Sequence, residues 1–255
     1  MTNRELIATS LSSVLNETKE MLSGVDWNMS TYPLYNYVMS TTFLKMAGLQ
    51  EQKMKCICWE LASSDFDYRY ERFLEKGWSL GTCADLNRKE QVYEDICKQI
   101  TKLDSSFKGL PKEKKEKLLS KSIETITLFY QQSNLEKIAK SEFNYYHEVF
   151  SFVKKCHIVE NFKYLLSRKH IDCKYLNNTI TREDPLTKMY GIMIKRRNEL
   201  AHNLAIYKRA YTFSDLLQSN CKYDNYFIYF TLLIIIDNIF EELLNIYTNL
   251  QKDSL

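Results

Sequence analysis

Residues 226–236 constrain the fold more than any other part of this chain, because eleven successive positions are aromatic or aliphatic except for Thr231. They lie within a predicted helix from residue 224 to about 250 that is apolar on nearly every side. Such a helix must be buried at the centre of the protein or cover a partner subunit. The run stops at Asp237, and a bilayer span needs about 20 apolar residues. We therefore expect no membrane-spanning segment.

The remaining sequence predicts an all-α fold. Six glycines and three prolines in 255 residues are too few for turn-rich β architectures. Neither GxxxxGK[ST] nor GxGxxG occurs, which argues against a nucleotide-hydrolysing motor and against a dinucleotide enzyme. Glycines 24, 48 and 77 are expected to end the first three helices. The spacing of apolar residues predicts helices over residues 3–22, 33–47, 51–76, 86–103, 111–129, 134–153, from 185 through 202, 213–217 and 224–250.

The best candidate for a linker is Ser105 to Gly109, which predicts two parts. Residues 1–107 would form an N-terminal all-helical region of unknown role, and residues 108–255 a second helical domain. The first part carries 12 Lys and Arg against 15 Asp and Glu, and the second carries 23 against 17. The positive balance of the second part favours an anionic partner such as RNA, although moderate excess charge is also an ordinary aid to solubility.

Neither a metal nor a cofactor is predicted. The cysteines are seven, an odd number, and never spaced CxxC, so we expect reduced, mostly buried cysteines of a cytoplasmic protein. The other candidate ligands are acidic residues at positions 65, 67, 71 and 75, whose spacing and interleaved arginines are typical of a solvated helix face. The cysteines are Cys56, Cys58, Cys83, Cys97, Cys156, Cys173 and Cys221.

One helix carries a candidate catalytic constellation. It is predicted to begin at Pro185, and the apolar steps 186, 190, 193, 197, 200 and 204 place Arg197 at a position that should be packed. Asn198 and His202 are four residues apart and share one side of the helix. Arg197 lies about 100° round from Asn198, and its long side chain could still approach the imidazole.

These residue types suit RNA cleavage without a metal. That reaction needs a base for the ribose 2′-hydroxyl, an acid for the leaving 5′-oxygen and positive charge near the phosphorus. His202 would transfer protons, Arg197 would bind the phosphate, and Asn198 would orient His202 or hold the phosphate. One histidine is short of an acid–base pair, so a dimer partner would supply the second, through an interface that includes the apolar last helix. Weaker candidates for contacts with the RNA backbone, otherwise solvated charges, are Lys195, Arg196, Lys208 and Arg209.

The sequence of residues 197–202, Arg-Asn-Glu-Leu-Ala-His, resembles the R-[N/D/H]-x3-H form of the Rx4-6H motif of the HEPN superfamily. In these all-α domains the motif lies on a late helix that is followed by a C-terminal helix, and residues from about 110 to 255 fit that layout. The resemblance implies a metal-independent endoribonuclease that acts as a dimer, with Arg197 and His202 catalytic and Asn198 assisting. It also implies a bacterial toxin or antiphage defence effector, with an antitoxin or another defence protein as a partner.

Three alternatives stay open at this point. The chain could be a non-catalytic helical module, HEPN-like or unrelated, that binds RNA, nucleotide or a protein partner. The motif could merely end its helix well, because cations and histidine favour the last turn and Asn203 is an acceptable C-cap. A purely structural interaction protein built on the last helix is the third. The non-catalytic module is distinguished from the ribonuclease by whether Arg197 and His202 converge in an open basic cleft.

Overall fold

The computed structural model describes residues 2–75, 83, 85–155, 185–202 and 225–253. These ranges contain no β-strand, which confirms the predicted all-α class. A short 3-10 turn, Met29–Thr31, precedes the third helix, and a π-helical turn, Tyr70–Glu75, extends the fourth. The nine α-helices in the described ranges are α1 (Asn3–Ala8), α2 (Leu11–Ser23), α3 (Tyr32–Ser64), α4 (Phe66–Arg69), α5 (Leu86–Leu103), α6 (Lys112–Gln132), α7 (Glu136–Lys155), α8 (Pro185–His202) and α9 (Tyr226–Asp253).

Helix α9 forms the centre of the fold. Every residue from 226 to 237 is buried. The helix packs most extensively on α3, α5 and α6, and it also contacts α2, α7 and α8. Its first turn is capped by Asn225, whose side-chain oxygen accepts hydrogen bonds from the backbone of Phe227 at 2.9 Å and of Ile228 at 3.3 Å. Of the two placements open to this helix, burial within its own chain is the one observed.

Helix α3 is longer than predicted and runs for 33 residues without ending at Gly48. A glycine inside a helix costs only about 1 kcal/mol relative to alanine. The completely buried side chains of Phe43, Met46 and Met54 lie on both sides of it and outweigh that cost. The predicted helix over residues 51–76 is instead the end of α3, then α4 and the π-helical turn, because Asp65 caps α4 by accepting a hydrogen bond from the backbone of Tyr68 at 3.0 Å.

The first predicted helix, residues 3–22, is divided into α1 and α2. Ser10 caps α2 by accepting a hydrogen bond from the backbone of Ser12 at 3.3 Å. The Thr9 carbonyl accepts a hydrogen bond from Lys53 Nζ at 2.9 Å, so it is satisfied by a side chain of α3 rather than by a continuing helix. Helix α2 ends at Ser23, immediately before Gly24, as predicted, and α5 has the predicted bounds.

Several polar side chains lie inside this core. Lys53 Nζ is 2.6 Å from Asp237 Oδ1 and 2.8 Å from Oδ2, and both side chains are 2% exposed. The Asp237 carboxylate also accepts a hydrogen bond from the backbone of Leu11 at 3.4 Å. Gln50 donates to the Leu233 carbonyl at 2.7 Å and accepts from Lys89 Nζ. These contacts tie α1, α2, α3 and α5 to the central helix.

The described parts of the two predicted domains share one hydrophobic core, to which α2, α3 and α5 contribute together with α6, α7, α8 and α9. The division at residue 107 stays a prediction. The four described cysteines are free, with Cys56, Cys58 and Cys83 buried and Cys97 partly exposed. Among the described helices, none combines the length and the hydropathy that a membrane crossing requires.

Candidate functional site

Helix α8 has one buried side and one exposed side. Its buried residues include Leu186, Met189, Tyr190 and Met193, and the helix packs on α3 and α9. Its exposed residues fall at successive helical steps and form a single strip, which we call the α8 stripe. The α8 stripe consists of Gly191, Lys195, Asn198 and His202. Two of the three predicted catalytic residues therefore lie together on the outer surface of this helix.

Arg197 occupies the packed side of α8, at the position that the apolar steps predicted. Its Nη2 donates a hydrogen bond to Glu51 Oε2 on α3 at 2.9 Å, and its Nη1 donates to Asn198 Oδ1 at 3.0 Å. The Arg197 side chain is 24% exposed, which leaves part of the guanidinium in contact with solvent. The arginine thus bridges the interior and the α8 stripe.

His202 is the last residue of α8 and is exposed. It follows Arg197 by five positions, which corresponds to about 140° around a helix. Within one chain the described hydrogen bonds of Arg197 are made with Glu51 and Asn198, so the structure brings Arg197 and Asn198 together and leaves His202 outside that contact.

The candidate RNA-binding residues differ in their surroundings. Lys195 is exposed on the α8 stripe, as a phosphate contact requires. Arg196 is mostly shielded from solvent, because it lies at the side of the helix, off the α8 stripe. Its side chain is 14% exposed and its Nη1 lies 3.7 Å from Glu199 Oε2. Lys208, Arg209 and the proposed C-cap Asn203 lie outside the described residues.

The inner side of Arg197 faces a nearly filled space. A cavity of about 10 Å³ there has room for about one water molecule, and its wall includes Lys89, Tyr190 and Leu233. Burial lowers the pKa of Lys89 to about 8, and the positive charge of Arg197 acts in the same direction, while the charge of Glu51 opposes it. Among the described residues, the inner side of the guanidinium therefore leaves no room for a ligand larger than water.

Sequence reasoning missed Glu51, Lys55 and Lys89. Lys55 Nζ lies 3.4 Å from the second carboxylate oxygen of Glu51, and this pair has the i, i+4 spacing of helix ion pairs. Lys89 lies on the apolar stripe of α5 with Val92 and Ile96, so the signal that singled out Arg197 was present there as well. The contact between Glu51 and Arg197 spans 146 positions of sequence and gave no local signal.

A larger cavity lies away from the motif. It has a volume of about 290 Å³ between the ends of α3, α5 and α9, and no residue of α8 lines it. An ion pair between Asp65 and Lys102 closes one of its walls. In the described ranges, no three His, Cys, Asp or Glu side chains are grouped in a way that could hold a metal ion.

Comparisons with protein-family models, with curated proteins and with solved structures found no match. The resemblance to HEPN domains therefore rests on residues 197–202 and on the order of the helices.

Proposed function

We propose that the protein is a metal-independent endoribonuclease that cleaves RNA by attack of a ribose 2′-oxygen on the adjacent phosphate. The observation that carries the proposal is the position of the Arg197 guanidinium, held by Glu51 at 2.9 Å and Asn198 at 3.0 Å, with an exposed histidine five positions further along the same helix. A cation that is already fixed needs little reorganisation when it meets the charge that develops on the phosphate.

The chemistry assigns one role to each residue. Arg197 binds the phosphate and stabilises the additional negative charge on its oxygens. His202 takes the proton of the 2′-hydroxyl as a base, or gives a proton to the leaving 5′-oxygen as an acid. Asn198 orients the arginine through its side-chain oxygen. The products are a 2′,3′-cyclic phosphate on one fragment and a 5′-hydroxyl on the other.

A complete acid–base pair requires two copies of the chain. The copies would meet across the α8 stripe, because the apolar residues of α9 are buried within their own chain. Gly191 lies on this stripe and has no side chain that would hold a second helix away. Two facing Lys195 side chains repel each other unless an anion lies between them, and the RNA backbone supplies that anion.

The biological setting comes from the resemblance alone. It favours a cytoplasmic bacterial toxin or antiphage effector, regulated by an antitoxin or another defence protein. The described residues add no contact that names this partner.

One observation favours a second candidate, a non-catalytic module that binds RNA, nucleotide or protein. Glu51 offsets the charge of Arg197, and the only described polar partners of the guanidinium are Glu51 and Asn198. A site of this kind would bind an anion such as RNA without cleaving the RNA backbone.

Cleavage of RNA by the purified protein in EDTA separates the two candidates. We expect wild type to produce 2′,3′-cyclic phosphate ends and Arg197→Ala and His202→Ala to produce none. His147→Ala is the matched control, because His147 is also an exposed histidine and its described hydrogen bond lies within its own helix, to Ser151 at 3.4 Å. RNA binding without cleavage would favour the module, and equal cleavage by all four proteins would refute the assignment.

A further inference from the structure

Glu51, which precedes Arg197 by 146 positions in the sequence, holds the Arg197 side chain. Its Oε2 accepts the hydrogen bond from Arg197 Nη2 at 2.9 Å, and its Oε1 lies 3.4 Å from Lys55 Nζ. The Glu51 side chain is only 12% exposed, so both carboxylate oxygens are used by cations in a partly dry environment. Ion pairs that are shielded from water in this way are screened less by salt than surface pairs.

The two bonds of the guanidinium fix its plane. Arg197 has five N–H donors, and the bonds to Glu51 and Asn198 use one on each terminal nitrogen. The small cavity beneath it has room for about one water, so the group cannot move inward. The remaining donors are therefore directed by the position of Glu51.

Two cations pair with this one carboxylate, and its charge acts on a third. Arg197 and Lys55 pair with it directly, and the charge of Glu51 raises the pKa of buried Lys89 against the larger effect of desolvation. Without the carboxylate, Arg197 and Lys55 would lose the partner that they share, while Lys89 would keep the attraction of Asp237. Their repulsion would drive the longest and most exposed of them, the Arg197 side chain, out of its present orientation.

We propose that Glu51 is the positioning residue of Arg197, so that the N-terminal part of the chain completes a site whose catalytic groups lie on α8. This inference rests on the proposed ribonuclease function. Glu51 does not touch RNA, and its effect is exerted through the arginine. Because its own charge repels a polyanion, its removal should slow the chemical step without weakening RNA binding.

Kinetics of three variants test the proposal on a short single-stranded RNA with a fluorophore and a quencher. We expect Glu51→Gln to lower kcat about 100-fold, the effect of a reactive group displaced by roughly 1 Å, with KM unchanged or lower. Glu51→Asp keeps the charge and should recover part of that loss. Glu60→Gln is the matched control, since Glu60 lies on the same helix and pairs with Arg4 at 3.0 Å, and it should cleave at the wild-type rate.

A second measurement does not depend on cleavage. The ¹⁵N resonances of the Arg197 Nη atoms report how fast the guanidinium rotates. We expect slow rotation in wild type and Glu60→Gln and fast rotation in Glu51→Gln. If Glu51→Gln fails to fold, Glu51→Asp takes its place. A wild-type kcat for Glu51→Asp despite fast rotation would overturn the proposal, because activity would then not depend on how the guanidinium is held.

The outcomes separate this inference from the function on which it rests. Wild-type protein that binds RNA and never cleaves it refutes the ribonuclease, and the positioning role falls with it. Wild type that cleaves, with Glu51→Gln equally active, overturns the positioning role alone. A higher kcat/KM in Glu51→Gln would also overturn it, because Glu51 would then compete with the phosphate for Arg197.

Discussion

The buried ion pair between Lys53 and Asp237 should make this core sensitive to the loss of either partner alone. In Asp237→Leu the Lys53 ammonium loses two carboxylate contacts, at 2.6 and 2.8 Å, and keeps only the Thr9 carbonyl at 2.9 Å. Both side chains are 2% exposed, so water cannot replace the lost partner. Removing one member of such a buried pair costs about 3–5 kcal/mol.

The double variant Lys53→Met/Asp237→Leu should be far less destabilised than Asp237→Leu. Neither substituted position then carries a buried charge, and the remaining losses are the hydrogen bonds at the Thr9 carbonyl and the Leu11 N–H, worth about 1 kcal/mol each. We therefore expect the double variant to lie within about 2 kcal/mol of wild type. A coupling energy of at least about 1 kcal/mol follows for the pair.

Urea denaturation followed by circular dichroism at 222 nm measures these differences. At roughly 2–4 °C per kcal/mol for a chain of this size, Asp237→Leu should also lower Tm by about 10 °C. Lys137→Met is the control, because Lys137 pairs with Asp26 at 3.1 Å on the surface and should cost under about 0.5 kcal/mol. A loss below about 1 kcal/mol in Asp237→Leu, or a double variant no more stable than the single one, would refute the reasoning.

Four further substitutions have defined outcomes. Burial lowers the pKa of Lys89 to about 8 from the ordinary 10.5, so the unfolded chain binds more protons than the folded one between these pH values. The free energy of unfolding should therefore rise with pH between about 8 and 10.5. The same rise in Lys89→Met would contradict this origin. Burial raises the pKa of Asp65, but the hydrogen bonds from Lys102 and the Tyr68 backbone prevail and lower it to about 2. The ionised carboxylate therefore stabilises the fold above about pH 4, and this contribution is lost as the pH falls to 2. Asp65→Asn should reduce the dependence of the unfolding free energy on pH in this range. Gly48→Ala should raise the free energy of unfolding by about 0.5–1 kcal/mol, and with it the urea midpoint, because nothing lies within 4 Å of the added Cβ. A lower midpoint would argue against the continuous helix. Gly191→Leu should raise Tm by about 2 °C, because leucine forms helix better than glycine by roughly 0.8 kcal/mol and nothing lies within 4 Å of the added Cβ. It should also weaken self-association in analytical ultracentrifugation, whereas self-association equal to that of wild type would exclude the α8 stripe as the interface.

The sequence predicted the features that depend on local periodicity. The bounds of α5 and the placement of Arg197 on a packed face both follow from the 3.6-residue repeat. The same repeat places Lys53 and Lys89 on apolar faces, but both were missed, and the partner of Lys53 could not be inferred, because Asp237 is 184 positions from it. Tertiary packing, and not local sequence, determines which of these distant side chains come into contact.

The errors concern the ends of helices. Gly48 was expected to end a helix, and the structure continues through it because tertiary burial exceeds a propensity of about 1 kcal/mol. Conversely, no glycine or proline marks the break between α1 and α2, where Ser10 and the bond from Lys53 to the Thr9 carbonyl interrupt the helix. Capping by a distant lysine leaves no trace in the local sequence.

The central position of α9 has a consequence for synthesis. Helices α2, α3, α5, α6 and α7 all contact a segment that leaves the ribosome only after they do. Until residues 226–253 emerge, the surfaces of these helices that pack on α9 have no partner, and a nascent chain of this kind is exposed to aggregation and to chaperones. Folding is therefore expected to be completed only after α9 has been made, and the proposed nuclease would stay inactive throughout translation of its own message.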